Sequence, residues 1–256
     1  MIKFFRQIRY RLMETGNTSK YFKYAIGEIL LVVIGILIAL QINNWNQKRI
    51  SSNREAVILK SLNSELKNNL RELQIDYVNN LQFYQSTVYV YQYINKKPPE
   101  TDSMYNDFNS IVGFDYFFPK TSTYETLKSG NLEIIRSDSL KEIITSVYES
   151  GFKRIINKIE TRRNAARLLF PYHQKHFRST FKVNLDTVDL LKNRNDLKLF
   201  KKISIPNDYS TLINDPEFES LVTEAINGRR NIIRDYERTI QNVKTCIEFI
   251  NSYLAN

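Results

Sequence analysis

Two histidines are the residues whose type and spacing best suit catalytic or metal chemistry. His173 and His176 stand three positions apart, so a helix would place both imidazoles on one side, a spacing that can bind zinc. A zinc site needs more ligands, and neither an HExxH glutamate nor a cysteine pair accompanies them. We therefore predict no metal site.

Other catalytic signatures are equally absent from the sequence. The 7 glycines form no phosphate-cradling loop, and 2 histidines leave nucleophilic catalysis without a clear base. Acidic residues are plentiful, but no glycosidase pair can be chosen among those on helix surfaces. We predict no enzyme, no catalytic residue and no cofactor. An enzyme acting on envelope material would require clustered buried carboxylates in a polar cleft.

The charge balance also argues against nucleic acid as a partner. The net charge is +10, but 37 basic residues are mixed with 27 acidic ones, which is typical of a solvated surface. Cys246 is the only cysteine, so no intrachain disulfide can form. Because it lies on the apolar stripe of a predicted helix, we expect a packed and inert thiol.

The most informative segment is the apolar stretch "GEILLVVIGILIALQINNW". From Tyr24 to Ile42, only Glu28 and Gln41 are polar. These nineteen residues would extend about 28 Å as a helix, close to the thickness of a bilayer core. A soluble core helix and a cleaved signal peptide are the alternatives, but the stretch ends without a small-residue cleavage pattern. We predict an uncleaved transmembrane anchor.

Basic residues beside this stretch predict its orientation. Six lysines and arginines precede it, whereas Lys48, Arg49 and Arg54 follow it within a comparable distance. The positive-inside rule then keeps the N-terminus in the cytoplasm and sends residues from about 46 onward across the membrane. The predicted location of the C-terminal domain is extracytoplasmic, or periplasmic if the envelope has two membranes.

One face of the anchor has the composition of a helix–helix contact. At about 100° per residue, Glu28, Gly35, Ala39 and Asn43 share a face. The pair Gly35 and Ala39 would let a second helix approach closely, and an ionisable residue in a span usually faces a partner. A lone helix, with Glu28 reaching toward the water, explains the pattern equally well.

The remaining chain predicts helices. Met1–Met13 suits a basic amphipathic helix, and a stripe from Leu59 to Tyr91 with a mean step of 3.56 residues predicts a long helix that ends at Pro98-Pro99. The loop "FDYFFPK" (114–120) is expected to plug one end of a bundle, a lined pocket being the alternative. Residues 172–210 fit either short helices or a peripheral hairpin.

Local signals predict several helix ends. Gly130-Asn131 is expected to end one helix in a left-handed conformation, and Ser137 is expected to cap the next. Pro171 should interrupt the apolar pattern at Phe170. A last long helix is predicted from Pro216, with Asp215 as its cap.

We therefore predict an all-α fold: a single N-terminal transmembrane helix followed by an elongated antiparallel helical bundle. The expected segments are a cytoplasmic basic stretch at 1–20, the anchor at 21–45 and an extracytoplasmic helical domain at 46–256.

Two stretches resemble an uncharacterised family of bacterial single-span membrane proteins. One is "KYAIGEILLVVIGILIALQINNWN" (23–46), and the other is "TYETLKSGNLEIIRSDSLKEIITSVY" (123–148). The second is similar to the family's Leu-x-Ser-Gly-x-Leu element in Leu127, Ser129, Gly130 and Leu132, a candidate structural motif. The resemblance extends over nearly the whole chain. It implies a membrane location and supplies no activity.

Together these observations favour a membrane-anchored interaction or scaffold protein. The expected partners are the lipid bilayer and either a second copy of the chain or another membrane protein. The alternative is an extracytoplasmic ligand-sensing domain. Because only 23 residues precede Tyr24, such a sensor would have to signal through a partner.

Overall fold

The computed structural model describes Tyr10 and residues 18–130, 132–160, 165–182 and 200–255. The chain divides into two compact units, Met1–Val57 and Ile58–Asn256. Apart from Tyr10, the predicted amphipathic helix at Met1–Met13 lies outside the described residues. The prediction of an all-α fold with a long apolar N-terminal helix is confirmed, because the only sheet in the described part has two short strands.

Helix α1, Thr18–Lys96, contains both the apolar stretch and the amphipathic stretch that follows it. The helix ends as Pro98-Pro99 predicts, because a proline lacks an N–H and disfavours helical backbone in the preceding residue. Lys97 has a φ of 48°, and its N–H donates to the Tyr93 carbonyl at 2.9 Å, which closes the last turn.

Short helices occupy the middle of the chain. They are α2 Met104–Ser110, α3 Ser122–Gly130, a 3-10 turn Leu132–Ile134, α4 Asp138–Thr145, a π-helical turn Ser146–Phe152, α5 Lys153–Glu160 and α6 Ala165–His176. Ser137 caps α4 as predicted, since its Oγ accepts from the Leu140 N–H at 3.3 Å.

Two predicted helix ends differ from the structure or fall partly outside it. Gly130-Asn131 predicts a left-handed end for α3; Gly130 is the last helical residue and its φ is not left-handed. Asn131 lies outside the described residues. Pro171 was expected to end the helix at Phe170, whereas α6 continues through it to His176. The missing hydrogen bond is offset because the turn after Pro171 is buried at Tyr172 and His173.

The uncertain region 172–210 contains a strand pair. Strand β1, Phe177–Lys182, pairs antiparallel with β2, Lys201–Pro206, with Phe177 opposite Pro206 and Lys182 opposite Lys201. Of the two predicted alternatives, the hairpin therefore describes the paired residues. Residues 183–199 lie outside the described part.

The chain ends in helix α7, Tyr209–Leu212, and helix α8, Pro216–Ala255. The predicted start of α8 is confirmed, because an Asp215 oxygen accepts from the Glu217 N–H at 2.8 Å. Within the second unit, α1 and α8 are antiparallel. Asn63 donates to Asn251 at 2.6 Å and Tyr77 donates to Glu237 at 3.0 Å, so the partner's number falls as the α1 number rises.

The second unit has two apolar clusters. The larger one includes Leu66 of α1, Tyr148 of the π-helical turn and Tyr236 of α8. The other includes Phe108 of α2 and Phe218 of α8. Each cluster contains α8 side chains, so this helix contributes to the core along most of its length.

Candidate functional sites

The first candidate site is the apolar stretch of α1. In the part of the chain that the structure describes, one helix is long and apolar enough to cross a membrane, and none of its most apolar window is buried. The large apolar side chains from Ile26 to Ile42 are 44–65 % exposed. Since successive residues of a helix point in different directions, the exposed surface surrounds the helix instead of forming a stripe.

The predicted contact face lies within this stretch. Because α1 is helical throughout, Glu28, Gly35, Ala39 and Asn43 do share one side of it. A Cβ built on Gly35 would meet nothing within 4 Å, so the space for a close helix approach is present. That another helix packs on this face stays a prediction.

An aromatic and basic pair follows the apolar stretch. The Arg49 guanidinium lies 5.4 Å from the centre of the Trp45 ring, and Arg49 also donates to Asn46 at 3.2 Å. Trp45 is 64 % exposed. An exposed tryptophan beside a cation is the pair found where a membrane helix enters the headgroup region.

The second candidate site is a polar network around Glu65, in the second unit. Glu65 is a residue of α1 and is 6 % exposed, and its carboxylate accepts a hydrogen bond from the start of α3. One oxygen accepts from the Thr123 N–H at 2.7 Å, and the other accepts from the Tyr148 hydroxyl at 2.7 Å. The N–H groups in the first turn of α3 have no partner within the helix, and a carboxylate satisfies them well.

A second α1 side chain holds the same segment. Asn69 is fully buried, donates to the Lys120 carbonyl at 2.8 Å and accepts from the Lys120 N–H at 2.8 Å. Glu65 and Asn69 are one turn apart, so a single side of α1 fixes the backbone at 120–123.

Two stacked tyrosines extend the network. The rings of Tyr124 and Tyr148 lie 4.2 Å apart and nearly parallel, and Tyr124 donates to Glu149 at 3.1 Å. Burial, followed by the hydrogen bond to Glu65, raises the pKa of Tyr148 well above its usual range. Hydrogen bonds from Lys128 and Lys153 lower the pKa of Glu149 to about 2. The phenols stay protonated and the carboxylate stays charged, so this arrangement favours binding or structure over proton transfer.

A polar groove opens beside the network. Its volume is about 570 Å³. The lining side chains are mostly hydroxyls, with one carboxylate, one amide and one amine: Ser61, Ser64, Glu65, Asn68, Lys120, Thr121, Ser122 and Thr123. The groove is shallow and open to solvent, and its lining offers several hydrogen-bonding groups.

The Leu-x-Ser-Gly-x-Leu element begins in the second half of α3, whose first turn lines this groove. Leu127 is buried in the larger cluster, and Leu132 packs against it from the 3-10 turn. Ser129 donates to the Thr126 carbonyl at 3.3 Å, and Gly130 has open space where a Cβ would stand. These contacts agree with a structural role and place no chemical group of the element in the groove.

The two histidines do not form a ligand pair. His173 is 4 % exposed and stacks on Phe177, and burial lowers its pKa to about 4. His176 stacks instead on Tyr172, with ring centres 4.1 Å apart. Among the described residues, no three histidine, cysteine or acidic side chains come together as a metal site.

In the loop "FDYFFPK", only one of the four aromatic side chains is buried, as a plug of the bundle would require. Phe117 is 3 % exposed and contacts Phe152 with ring centres 5.2 Å apart. Phe114, Tyr116 and Phe118 are exposed and contact one another in a row. The alternation of buried and exposed residues follows from the extended backbone of this loop.

Sequence reasoning missed several polar residues that are buried in the second unit. The predicted stripe of α1 consists of apolar and tyrosine residues, but the buried positions of this helix also include Asp76, Asn80 and Thr87. In α8, Arg229 and Thr239 are buried in the same way. A strict alternation of three- and four-residue steps, continued through polar residues, would have found them, because that spacing is the signature of two helices packed side by side.

These features define a class of protein: a helical chain with one exposed apolar helix segment and a polar network in its second unit. The chain belongs to a family of unknown function, DUF6090, whose sequence model matches residues 28–208. Neither the comparison with curated proteins nor that with solved structures found a match. The predicted resemblance to an uncharacterised family is confirmed. The matched region contains residues 28–46 of the first quoted stretch and all of the second, but it ends before α8, so it is shorter than predicted.

Proposed function

We propose that the chain is a membrane-anchored helical interaction protein of a bacterial envelope, a scaffold rather than an enzyme. The observation that carries this proposal is the exposed apolar surface of α1 between Ile26 and Ile42. Leaving about a dozen large apolar side chains in water would cost on the order of 20 kcal/mol. A helix that is apolar on every side needs protein or lipid around it, and lipid is the cover that we propose.

The charge distribution supports an orientation for the anchor. With six basic residues before the apolar stretch and three after it, the N-terminus stays in the cytoplasm and residues from about 46 onward lie outside. The exposed Trp45 and its Arg49 neighbour then lie at the outer headgroups. This assignment places the Glu65 groove outside the cytoplasm.

Fractionation of bacterial cells expressing the full chain tests the anchor. We expect the protein to stay in the membrane pellet after extraction at pH 11 and to dissolve in detergent. Replacing Ile34 and Leu37 together by arginine should release it, whereas Val78→Arg, at a half-exposed position outside the stretch, should not. Wild-type protein that is monodisperse in the supernatant would contradict the proposal.

Labelling of engineered cysteines tests the orientation. In a Cys246→Ala background, Glu224→Cys on the exposed side of α8 should react with an impermeant maleimide in spheroplasts. Lys3→Cys should react only after lysis. The opposite pattern would reverse the orientation and leave the anchor itself intact.

We also propose that the face of Glu28, Gly35, Ala39 and Asn43 pairs two copies of α1. Open space at Gly35 supports this, because close approach of two helices needs a small residue there. In a membrane two-hybrid assay, Gly35→Leu should weaken association about tenfold. Gly27→Leu is the matched control, since Gly27 also has open space but lies on another side of the helix. Equal association in both variants would contradict this pairing.

The polar groove beside Glu65 favours ligand sensing as a second candidate function. A volume of about 570 Å³ with eight polar lining residues is large enough for a small polar molecule. A thermal-shift screen of the full chain in detergent distinguishes the two functions. Saturable stabilisation that Asn68→Ala reduces would support sensing, and a screen without any saturable shift would leave the scaffold proposal as the better account.

A further inference from the structure

Three polar groups that lack hydrogen-bond partners meet in the second unit. Asp76 of α1 is 7 % exposed, and its Oδ2 has no hydrogen bond. Two further side-chain oxygens are buried without a hydrogen-bond partner: Asp115 Oδ2, of a half-buried residue between α2 and α3, and the Tyr236 hydroxyl of α8. Tyr236 is fully buried, and the carboxylates of Asp76 and Asp115 both act electrostatically on its hydroxyl.

The negative charge of this cluster has no cation to balance it among the described neighbours that act on Asp76. Glu72, one turn earlier on α1, and Asp115 both repel a charge on Asp76. Two cations of neighbouring helices are engaged elsewhere: Arg229 of α8 donates to the Ile111 and Gly113 carbonyls at 2.6 and 3.0 Å, and Lys158 of α5 pairs with Asp235. Buried carboxylates without a cation are costly, and protonation removes that cost.

We propose that Asp76, beside Asp115, takes up one proton from solvent, and that this proton tightens the packing of α1 against α8 and the segment 111–121. The proton adds to a carboxylate oxygen of Asp76, which can then donate a hydrogen bond. Loss of the proton restores the buried charge on Asp76 and loosens the same contacts. This proton uptake does not depend on membrane anchoring, since all the groups involved lie in the second unit.

The pKa of Asp76 is consistent with this proton uptake. Burial, then repulsion from Asp115 and from Glu72, raises the pKa of Asp76 to about 6, against a slight lowering by Tyr236. A group whose folded pKa exceeds its unfolded value of 3.8 binds more protons when folded. Stability from Asp76 is therefore present at low pH and lost as the pH rises through about 6.

A second buried group responds in the opposite direction. The pKa of His173 is lowered by burial, so its contribution weakens the fold as the pH falls below 6.5. The pH profile of the wild type alone therefore cannot report on Asp76. The difference between a variant and the wild type can, because the His173 contribution is the same in both.

The test compares thermal unfolding of the full chain in detergent, for wild type and Asp76→Asn, between pH 4.5 and 7.5. We expect the variant to exceed the wild type by about 5 °C at pH 7.5 and to lose this advantage toward pH 4.5. Asp115→Asn, which removes the repelling neighbour, should move the wild-type transition to lower pH. Glu224→Gln, on the exposed side of α8, is the control and should differ from wild type equally at every pH.

Local packing and metal binding provide the deciding measurements. Hydrogen exchange in 70–83 and 229–240, corrected for intrinsic rates, should be slower at pH 5.5 than at 7.5 in wild type but not in Asp76→Asn. A difference between the variants that does not change with pH would overturn the proposal. So would saturable stabilisation by Ca²⁺ or Mg²⁺ at pH 7.5 that Asp76→Asn abolishes, because a metal ion would then neutralise the pair.

Discussion

Glu65 of α1 and Tyr148 of the π-helical turn are 83 residues apart in sequence and meet through a hydrogen bond of 2.7 Å. The same carboxylate caps α3 through the Thr123 N–H. The buried Glu65 side chain therefore connects α1, α3 and the π-helical turn, and the groove lies beside these contacts. Their stability determines whether the groove keeps its shape.

Replacing Glu65 by glutamine should destabilise the second unit by about 1.5–3 kcal/mol. The amide keeps only one acceptor oxygen, so either the Thr123 N–H or the Tyr148 hydroxyl loses its acceptor, which leaves a buried donor unpaired. The free energy of unfolding of the full chain in detergent measures this. Glu224→Gln makes the same chemical change on an exposed part of α8 and should stay within about 0.5 kcal/mol of wild type.

A double-mutant cycle separates the Tyr148 contact from the cap. Tyr148→Phe removes only the hydroxyl and should cost about 1 kcal/mol. If the Glu65–Tyr148 hydrogen bond contributes to stability, the double variant Glu65→Gln/Tyr148→Phe should lose less free energy of unfolding than the sum of the two single variants. Additive losses would show that Glu65 acts through the cap of α3 alone.

Three glycines should respond differently to alanine. A Cβ on Gly113 would stand 2.4 Å from the Phe83 ring, so Gly113→Ala should destabilise by about 1–3 kcal/mol. At Gly151 the nearest atom is a Thr239 methyl at 3.2 Å, a milder contact that the gain from replacing a helical glycine offsets in part, so alanine there should cost less than at Gly113. Gly130 has open space and ends α3, so alanine there should stabilise by about 0.5 kcal/mol. Chemical denaturation gives the order, and a stabilising Gly113→Ala would refute the close contact.

The helices could be predicted from the sequence wherever local chemistry decides. Ser137 and Asp215 cap helices as expected, and Pro98-Pro99 ends α1, because caps and prolines act within a few residues. The apolar stretch was equally plain, since its composition is uniform. The strand pair after His176 remained one of two alternatives, because its partner strand is distant in sequence.

The Glu65 network and the Asp76 cluster could not be predicted for a different reason. Glu65 and Asp76 look like ordinary surface acids of an amphipathic helix, and only the position of residues 115 and 123 shows that they are buried. The spacing of Leu66 and Leu73, continued through polar residues, reaches Asp76, and this spacing was the one signal in the sequence that Asp76 is buried. Glu65 had no such signal, because it lies one residue beside that line.

His173 should make the second unit sensitive to acid. Its pKa of about 4 in the folded chain is below the unfolded value of 6.5, so the unfolded chain binds more protons between these values. Stability from the neutral ring is then lost as the pH falls from about 6.5 to 4, by about 2–3 kcal/mol. His173→Gln should flatten this part of the stability profile. Equal profiles for wild type and His173→Gln would contradict the prediction.

Cys246 should report global unfolding of the second unit. The thiol is fully buried, and burial raises its pKa to about 12. In the folded chain a reagent therefore cannot reach the sulfur, and very little of the thiol is ionised. We expect a maleimide to react with Cys246 at a rate that follows the opening of the fold and that rises in Glu65→Gln. Thr245→Cys in a Cys246→Ala background puts a thiol on the exposed neighbouring position and should react at once. Equal rates at both positions in native protein would show that α8 does not keep this residue buried in solution.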